Sequence, residues 1–179
     1  MLQLIIPALE KYDEVHNLFI ATKEQVLQVE HSLVSISKWE SKWYKPFITK
    51  DSKTVEETID YIRCMTITQN IDQQVYENIT NENINDIDKY IDNPMTATWF
   101  TKERGSTSKE IITSEIIYYW MITYNIPFEC QKWHLNRLLT LVKVCDKKNT
   151  PNKRMSNSEI MTKNTNLNNE RREKSKTKG

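Results

Sequence analysis

Residues 110–144, EIITSEIIYYWMITYNIPFECQKWHLNRLLTLVKV, decide how the C-terminal half of the chain folds. Apolar side chains recur there every three or four positions on both sides of Pro127, a spacing typical of amphipathic helices. We therefore predict a helix over residues 109–124, capped by Ser108, and a second helix with Pro127 in its first turn, where the amide that proline lacks is not needed. The stretch has two tryptophans and no recognisable catalytic arrangement, which favours packing and partner binding over chemistry.

Each of these two helices is predicted to have one apolar face that packs against its neighbour. The predicted face of the first helix consists of Ile112, Ile116, Tyr119 and Tyr124 or Thr123. That of the second helix consists of Cys130, Trp133 or His134, Leu138, Leu141 and Cys145.

The first thirty residues have the pattern of strands. Short β-leaning runs lie at 2–6, 18–20 and 26–29, separated by polar pieces and by Pro7. They predict a small antiparallel sheet over about residues 2–30.

Four helical segments are predicted between this sheet and residue 94. The first starts at Ser32, ends at Pro46 and carries a face of Leu33, Ile36, Trp39 and Trp43. The second starts with a capping box, in which the Thr54 oxygen accepts an amide of the first turn and Glu57 reaches back. The others are a short helix over Gln73–Ile79 and a polar helix capped by Thr80, with Ile84, Ile87 and Ile91 inward. The predicted fold class is therefore α+β, mainly α: a small N-terminal antiparallel sheet, a bundle of five or six helices and a polar C-terminal tail.

Charge is distributed unevenly along the 179 residues. Residues 146–179 hold ten Lys/Arg and four Asp/Glu, a net charge of +6, so residues 1–145 carry −5 of the total of +1. We predict a globular domain over 1–145 and a basic tail over 146–179, partly disordered or marginally helical, with a polar helix after a second capping box at Ser156. This asymmetry suits a partner-binding extension.

Composition excludes several classes of protein. The chain has two glycines, so a glycine-rich phosphate loop or dinucleotide fingerprint is excluded. Its three cysteines show neither a disulfide framework nor a zinc spacing. Neither a signal peptide nor a transmembrane run is present, and we expect a soluble protein of the cytoplasm.

Candidate chemical groups are few, and each has a structural alternative. Cys130 and His134 lie four residues apart, a spacing that can bind a metal or activate a nucleophile, but a third partner is missing and a core thiol beside an amphipathic histidine fits better. Acidic clusters in 56–60, at Glu77 and Glu82 and in 86–88 could hold two metal ions, yet solvated helix faces explain them better. We expect no enzymatic activity, no cofactor and no metal site.

Aromatic and basic side chains are the candidates for partner contacts. The tryptophans could stack on single-stranded nucleic acid, pack in the core or anchor an interface, and the acidic charge of 1–145 argues against the first. The tail could contact nucleic acid or an acidic partner, or serve as a solubilising end. The candidate partner-binding residues are Trp39, Trp43, Trp99, Trp120, Trp133, His134, Arg171 and Arg172.

Several stretches resemble a family of small phage proteins. They are HSLVSISKWESKW (31–43), DYIRCMTITQN (60–70), NPMTATWF (93–100), IITSEIIYYWMITYNIPFECQKWHLNRLLTL (111–141) and the MSNSEIMTKN-type tail from Met155. The similarity covers nearly the whole chain. The chain resembles the tail assembly chaperones that are encoded in the tail modules of long-tailed, siphovirus-type bacteriophages.

The resemblance implies a non-enzymatic role during virion assembly in the host cytoplasm. Such chaperones coat the helical tape measure protein, keep it soluble and help to recruit tail tube subunits. The implied partners are therefore the tape measure protein and the tail tube protein, with self-association left open and no membrane. The alternatives are a structural tail or connector protein retained in the virion and, less favoured, a protein that binds nucleic acid through the basic tail. The glutamates and asparagines interspersed in the tail weaken this last alternative.

Overall fold

The computed structural model describes residues 1–13, 18–49, 51–98, 100, 111–149 and 157–175. It is mainly helical, with a small antiparallel sheet at the N-terminus, so the predicted fold class is confirmed. The chain divides into two compact units, Met1–Asp146 and Lys147–Gly179.

One long β-hairpin forms the N-terminal sheet. Its strands are β1 (Leu2–Ile6), β2 (Leu9–Asp13), β3 (Leu18–Thr22) and β4 (Gln25–Val29), with β1 paired to β4 and β2 to β3, both antiparallel. The register is the same in both halves, since Leu2 lies opposite Val29 and Leu9 lies opposite Thr22. The ladder is interrupted at Pro7, which has no backbone N–H to donate.

The hairpin covers the core with one face of its first half. Leu4 and Leu27 lie opposite each other and are buried, whereas the next pair along, Ile5 and Val26, is exposed. This alternation follows from the two-residue period of a strand, which turns successive side chains to opposite faces.

The other regular elements of the described chain are helices. They are α1 (Leu33–Trp43), α2 (Val55–Met65), a 3-10 helix (Gln73–Asn78), α3 (Asn81–Asp92), α4 (Ser114–Thr123), a second 3-10 helix (Phe128–Lys132), α5 (Leu135–Asn149) and α6 (Asn157–Ser175). Ser32, Thr54 and Thr80 cap α1, α2 and α3, each in a capping box. The predicted box at Thr54 is confirmed: its Oγ1 accepts from the Glu57 amide at 3.2 Å, and Glu57 Oε2 accepts from the Thr54 amide at 2.8 Å.

The core is centred on α1, which packs against α2 and α4, while α3 packs against β1 of the hairpin. Its most enclosed large side chains include Leu33, Ile36 and Trp39 of α1, so the predicted inner face of that helix is confirmed. Phe47, from the loop after α1, packs its ring 4.0 Å from that of Tyr61 and 5.2 Å from that of Trp39. Aromatic side chains bury large apolar areas, so this cluster contributes much of the packing energy of the core.

The prediction that a helix starts at 109 is wrong, because α4 starts at Ser114. Thr113 is its N-cap and makes no capping hydrogen bond of its own. The amide of Ser114 instead donates to Glu40 Oε2 of α1 at 2.8 Å, and Glu40 Oε1 accepts from the Phe47 amide at 2.7 Å. A buried carboxylate that is distant in sequence therefore fixes where this helix begins.

The predicted inner face of α4 is also wrong. Ser114, Ile117 and Met121 are buried, whereas Ile116 is half-buried and Tyr119 is exposed. Apolar residues of α4 lie on all sides of the helix, so their spacing does not show which face is buried.

The predicted single helix from Pro127 is in fact two helices. The 3-10 helix over Phe128–Lys132 ends at Trp133, whose backbone is extended, and α5 starts at Leu135. At this break the Leu135 amide donates to the His31 carbonyl at 2.8 Å and His134 forms a β-bridge with Ser32. Pairing with the end of the hairpin therefore replaces the helical hydrogen bonds.

In the second unit, α6 is a polar helix that extends three residues beyond the predicted end at Arg172. The predicted exposed loop over 101–108 and the predicted cap at Ser156 lie outside the described residues.

Candidate partner-binding surface

Trp39 and Trp43, one helical turn apart on α1, have different environments. Trp39 is 2% exposed, and its Nε1 donates to the Glu57 carbonyl at 2.9 Å. Trp43 is half-buried, with its ring stacked on that of Trp39 at a centroid distance of 6.1 Å. Trp39 therefore joins α1 to α2 inside the core, while Trp43 keeps part of its ring at the surface.

Charged groups hold Trp43 in place. Its Nε1 donates to Asp60 Oδ2 at 2.9 Å, and the other Asp60 oxygen pairs with the Lys42 ammonium. The ammonium groups of Lys42 and Lys45 lie 5.9 and 6.0 Å from the Trp43 ring centroid, within cation–π range. Asp60 itself is buried, so the expectation that it lies on a solvated face is wrong: it is an internal acceptor for α1.

A surface groove of about 450 Å³ begins at Trp43, and we refer to it as the α1–α2 groove. It is lined by Lys42, Trp43, Val55, Glu56, Ile59, Asp60 and Arg63. Val55 is 75% exposed and Ile59 is half-buried, so the lining of the groove combines accessible apolar side chains with charged groups.

Arg63 is the group in this groove that sequence analysis missed. Its guanidinium carbon lies 5.2 Å from the centroid of the Tyr76 ring, and that ring is buried. Its Nε is buried and has no hydrogen-bond partner among the described residues. Stacking on an aromatic ring fixes the orientation of the guanidinium without using its N–H donors.

A second apolar surface lies on α4, and we refer to Tyr118, Tyr119, Ile122 and Phe128 as the α4 surface. Tyr119 is 65% exposed, Ile122 is 62% exposed and Phe128 is 53% exposed. Ile122 is three residues from Tyr119 and four from Tyr118, spacings that place side chains side by side on a helix. The Tyr118 ring lies 6.4 Å from that of Phe128, so the four side chains are contiguous.

His134 is buried, and it packs against a second histidine. The rings of His31 and His134 lie 5.2 Å apart, His31 Nδ1 is 2.5 Å from the Tyr61 hydroxyl, and His134 Nε2 is 3.0 Å from the Tyr90 carbonyl. Desolvation, reinforced by His134, lowers the pKa of His31 from 6.5 to about 3. Desolvation also lowers the pKa of His134. Both imidazoles are thus neutral parts of the core at neutral pH.

Cys130 and His134 do not share a helix, because the helical conformation is interrupted at Trp133. Cys130 is buried in the 3-10 helix, and desolvation raises the pKa of its thiol. A raised pKa leaves less of the thiolate that nucleophilic chemistry requires. The arrangement therefore favours the packing role.

The other candidate residues are dispersed. Trp120 and Trp133 are half-buried, and the Arg137 guanidinium carbon lies 4.3 Å from the Trp133 ring centroid. Arg171 and Arg172 are exposed on α6, and Trp99 lies outside the described residues. The structure brings Trp39 and Trp43 together.

Within the described ranges, no group of three or more His, Cys, Asp and Glu could hold a metal ion. No helix among the same residues is long and apolar enough to cross a membrane. Comparisons with protein-family models, with curated proteins and with solved structures found no match for this chain.

Proposed function

We propose that this protein is a non-enzymatic tail assembly chaperone of a long-tailed bacteriophage, which binds the tape measure protein in the host cytoplasm and assists tail tube assembly. The proposal combines the family resemblance of the sequence with the surface of unit Met1–Asp146. A chaperone of this kind holds an amphipathic helix by its apolar stripe, so it needs apolar side chains on its own surface.

The α4 surface is the observation that carries the proposal. A helix in a soluble domain usually turns one apolar stripe inward and a polar face outward. In α4 the inward side holds Ile117 and Met121, and the outward side holds Tyr119 and Ile122. Contiguous exposed apolar side chains of this kind mark interaction sites, and tyrosine is enriched where partners bind.

The negative charge of residues 1–145 favours a partner with basic residues. Residues 1–145 carry −5, and α4 and the 3-10 helix after it contribute exposed Glu115 and Glu129 against one exposed lysine, Lys132. An amphipathic helix with basic residues beside its apolar stripe would approach this surface favourably.

The test is co-expression with the tape measure protein encoded in the same tail module, followed by a tagged pull-down and a count of subunits per partner chain. Many copies on one soluble tape measure chain are expected. The double variant Tyr119→Ser, Ile122→Ser should reduce the number bound, whereas Ile67→Ser, which removes a similarly exposed isoleucine outside the α4 surface, should not.

A wild-type protein that forms no complex and leaves the tape measure protein insoluble would refute the proposal. Stoichiometric copies in purified virions, found by mass spectrometry, would instead support a structural tail or connector protein.

A further inference from the structure

We propose that the α1–α2 groove binds an amphipathic helix whose apolar stripe is bounded by one acidic and one basic side chain two turns apart. In the cell this helix would belong to the tape measure protein, and that identity rests on the proposed function. The binding preference itself follows from the groove.

The two ends of the groove carry opposite charges. Glu56 is in the first turn of α2 and Arg63 is in its last turn, and both line the groove. Seven residues separate them, which is about two turns or about 10.5 Å along the helix axis, so they lie on the same side of α2. A partner helix with charges at the same spacing can match both ends at once.

The remaining charges of the groove neutralise each other. Lys42 pairs with Asp60, which also accepts from Trp43 Nε1. Arg63, by contrast, pairs with no carboxylate of the described residues, and its Nε has no acceptor. Glu56 and Arg63 therefore determine the difference in charge between the two ends of the groove.

Apolar side chains occupy the space between these ends. Trp43 and Ile59 are half-buried and Val55 is largely exposed, which gives the groove a floor for leucine- or isoleucine-sized side chains. The groove has a volume of about 450 Å³, and the apolar stripe of an amphipathic helix presents three or four side chains over the same two turns. Contact with a guanidinium held in place by an aromatic ring loses little conformational entropy on binding.

Three synthetic helical peptides with the same leucine stripe test this inference. The two residues that flank the stripe, seven positions apart, are Glu and Lys, Lys and Lys, or Glu and Glu. Binding of fluorescently labelled peptides to the full-length protein is measured by anisotropy at about 0.15 M salt, where long-range attraction between exposed charges is largely screened. The wild-type protein should bind the Glu/Lys peptide about fivefold more tightly than either of the others.

Charge reversal should change the ranking in a predictable direction. Arg63→Glu makes both ends acidic and should favour the Lys/Lys peptide, whereas Glu56→Lys makes both ends basic and should favour the Glu/Glu peptide. Lys89→Glu changes the net charge as Arg63→Glu does, but on the exposed side of α3, and should leave the wild-type ranking unchanged. Circular dichroism and thermal melting show whether each variant is folded. If Arg63→Glu does not fold, the Glu56→Lys variant alone tests the inference.

The inference is overturned if no peptide binds the wild-type protein, or if Glu56→Lys leaves the ranking unchanged. Its failure is distinguishable from failure of the proposed function. A soluble tape measure complex that depends on Tyr119 and Ile122 but is indifferent to Arg63 would place the docking site on α4 alone.

Discussion

Acid should destabilise this protein through His31, and replacing that residue should remove the effect. His31 is buried, with its ring 5.2 Å from that of His134, 6.2 Å from that of Phe47 and its Nδ1 at the Tyr61 hydroxyl. Desolvation and the neighbouring His134 both disfavour a protonated His31 imidazole in this position. We predict that His31→Phe, which keeps an aromatic ring but does not titrate, flattens the dependence of stability on pH.

The magnitude follows from the two pKa values of His31. Above pH 6.5 the side chain is neutral in both the folded and the unfolded state, so it adds no pH dependence. Between 6.5 and about 3 the unfolded chain binds the proton and the folded chain does not, so stability falls as the pH falls. The loss between about pH 6.5 and about pH 4.5 is about 2 kcal/mol.

The assay is urea unfolding at several pH values in this window, followed by tryptophan fluorescence. Other groups titrate in both proteins, so the His31 contribution is the difference in slope between wild type and His31→Phe. Tyr61→Phe is the control, because it removes the hydroxyl at Nδ1 but keeps the imidazole and should keep most of the slope. Parallel slopes for wild type and His31→Phe would refute the reasoning.

Three further predictions concern the core and the tail. Glu40→Ala removes the acceptor of the Phe47 and Ser114 amides. It should lower the free energy of unfolding, measured in urea melts, by about 2–4 kcal/mol, and a loss of less than about 1 kcal/mol would show that water replaces the carboxylate. Trp39→Ala should cost about 3–5 kcal/mol, and retention of the wild-type melting temperature would contradict its enclosed position. Deletion of 147–179 should leave a unit that melts cooperatively, and a broad, non-cooperative calorimetric transition would contradict this.

Local sequence signals predicted the strands β1, β3 and β4 and the first four helical segments, but not β2, which lies partly in a stretch read as a polar connection. Each of the caps at Ser32, Thr54 and Thr80 bonds to a residue three positions later, so the whole motif lies within one short window of sequence. The paired strands β1 and β4 are likewise short, β-leaning apolar runs of five residues each.

Long-range contacts explain what could not be predicted. The start of α4 depends on Glu40, and the break before α5 depends on His31; neither contact leaves a signal near the element that it limits. Glu40 follows Ile36 by four residues and precedes Trp43 by three, so its place on the inner face of α1 could have been inferred from spacing. The role of Arg63 could not, because it depends on Tyr76 from a separate helix.

The capping of α4 by Glu40 also orders the folding reaction. The two residues that share this bond are 74 positions apart, so its formation must await closure of a long loop. A peptide of residues 110–126 alone lacks the Glu40 carboxylate, and the ten residues of α4 are fewer than an isolated helix usually needs to be stable. Folding should therefore start with the hairpin, α1 and α2, whose contacts are closer in sequence, and α4 should become helical only once that part offers its carboxylate. On the ribosome, the first part of the chain would serve as the template on which this later helix forms.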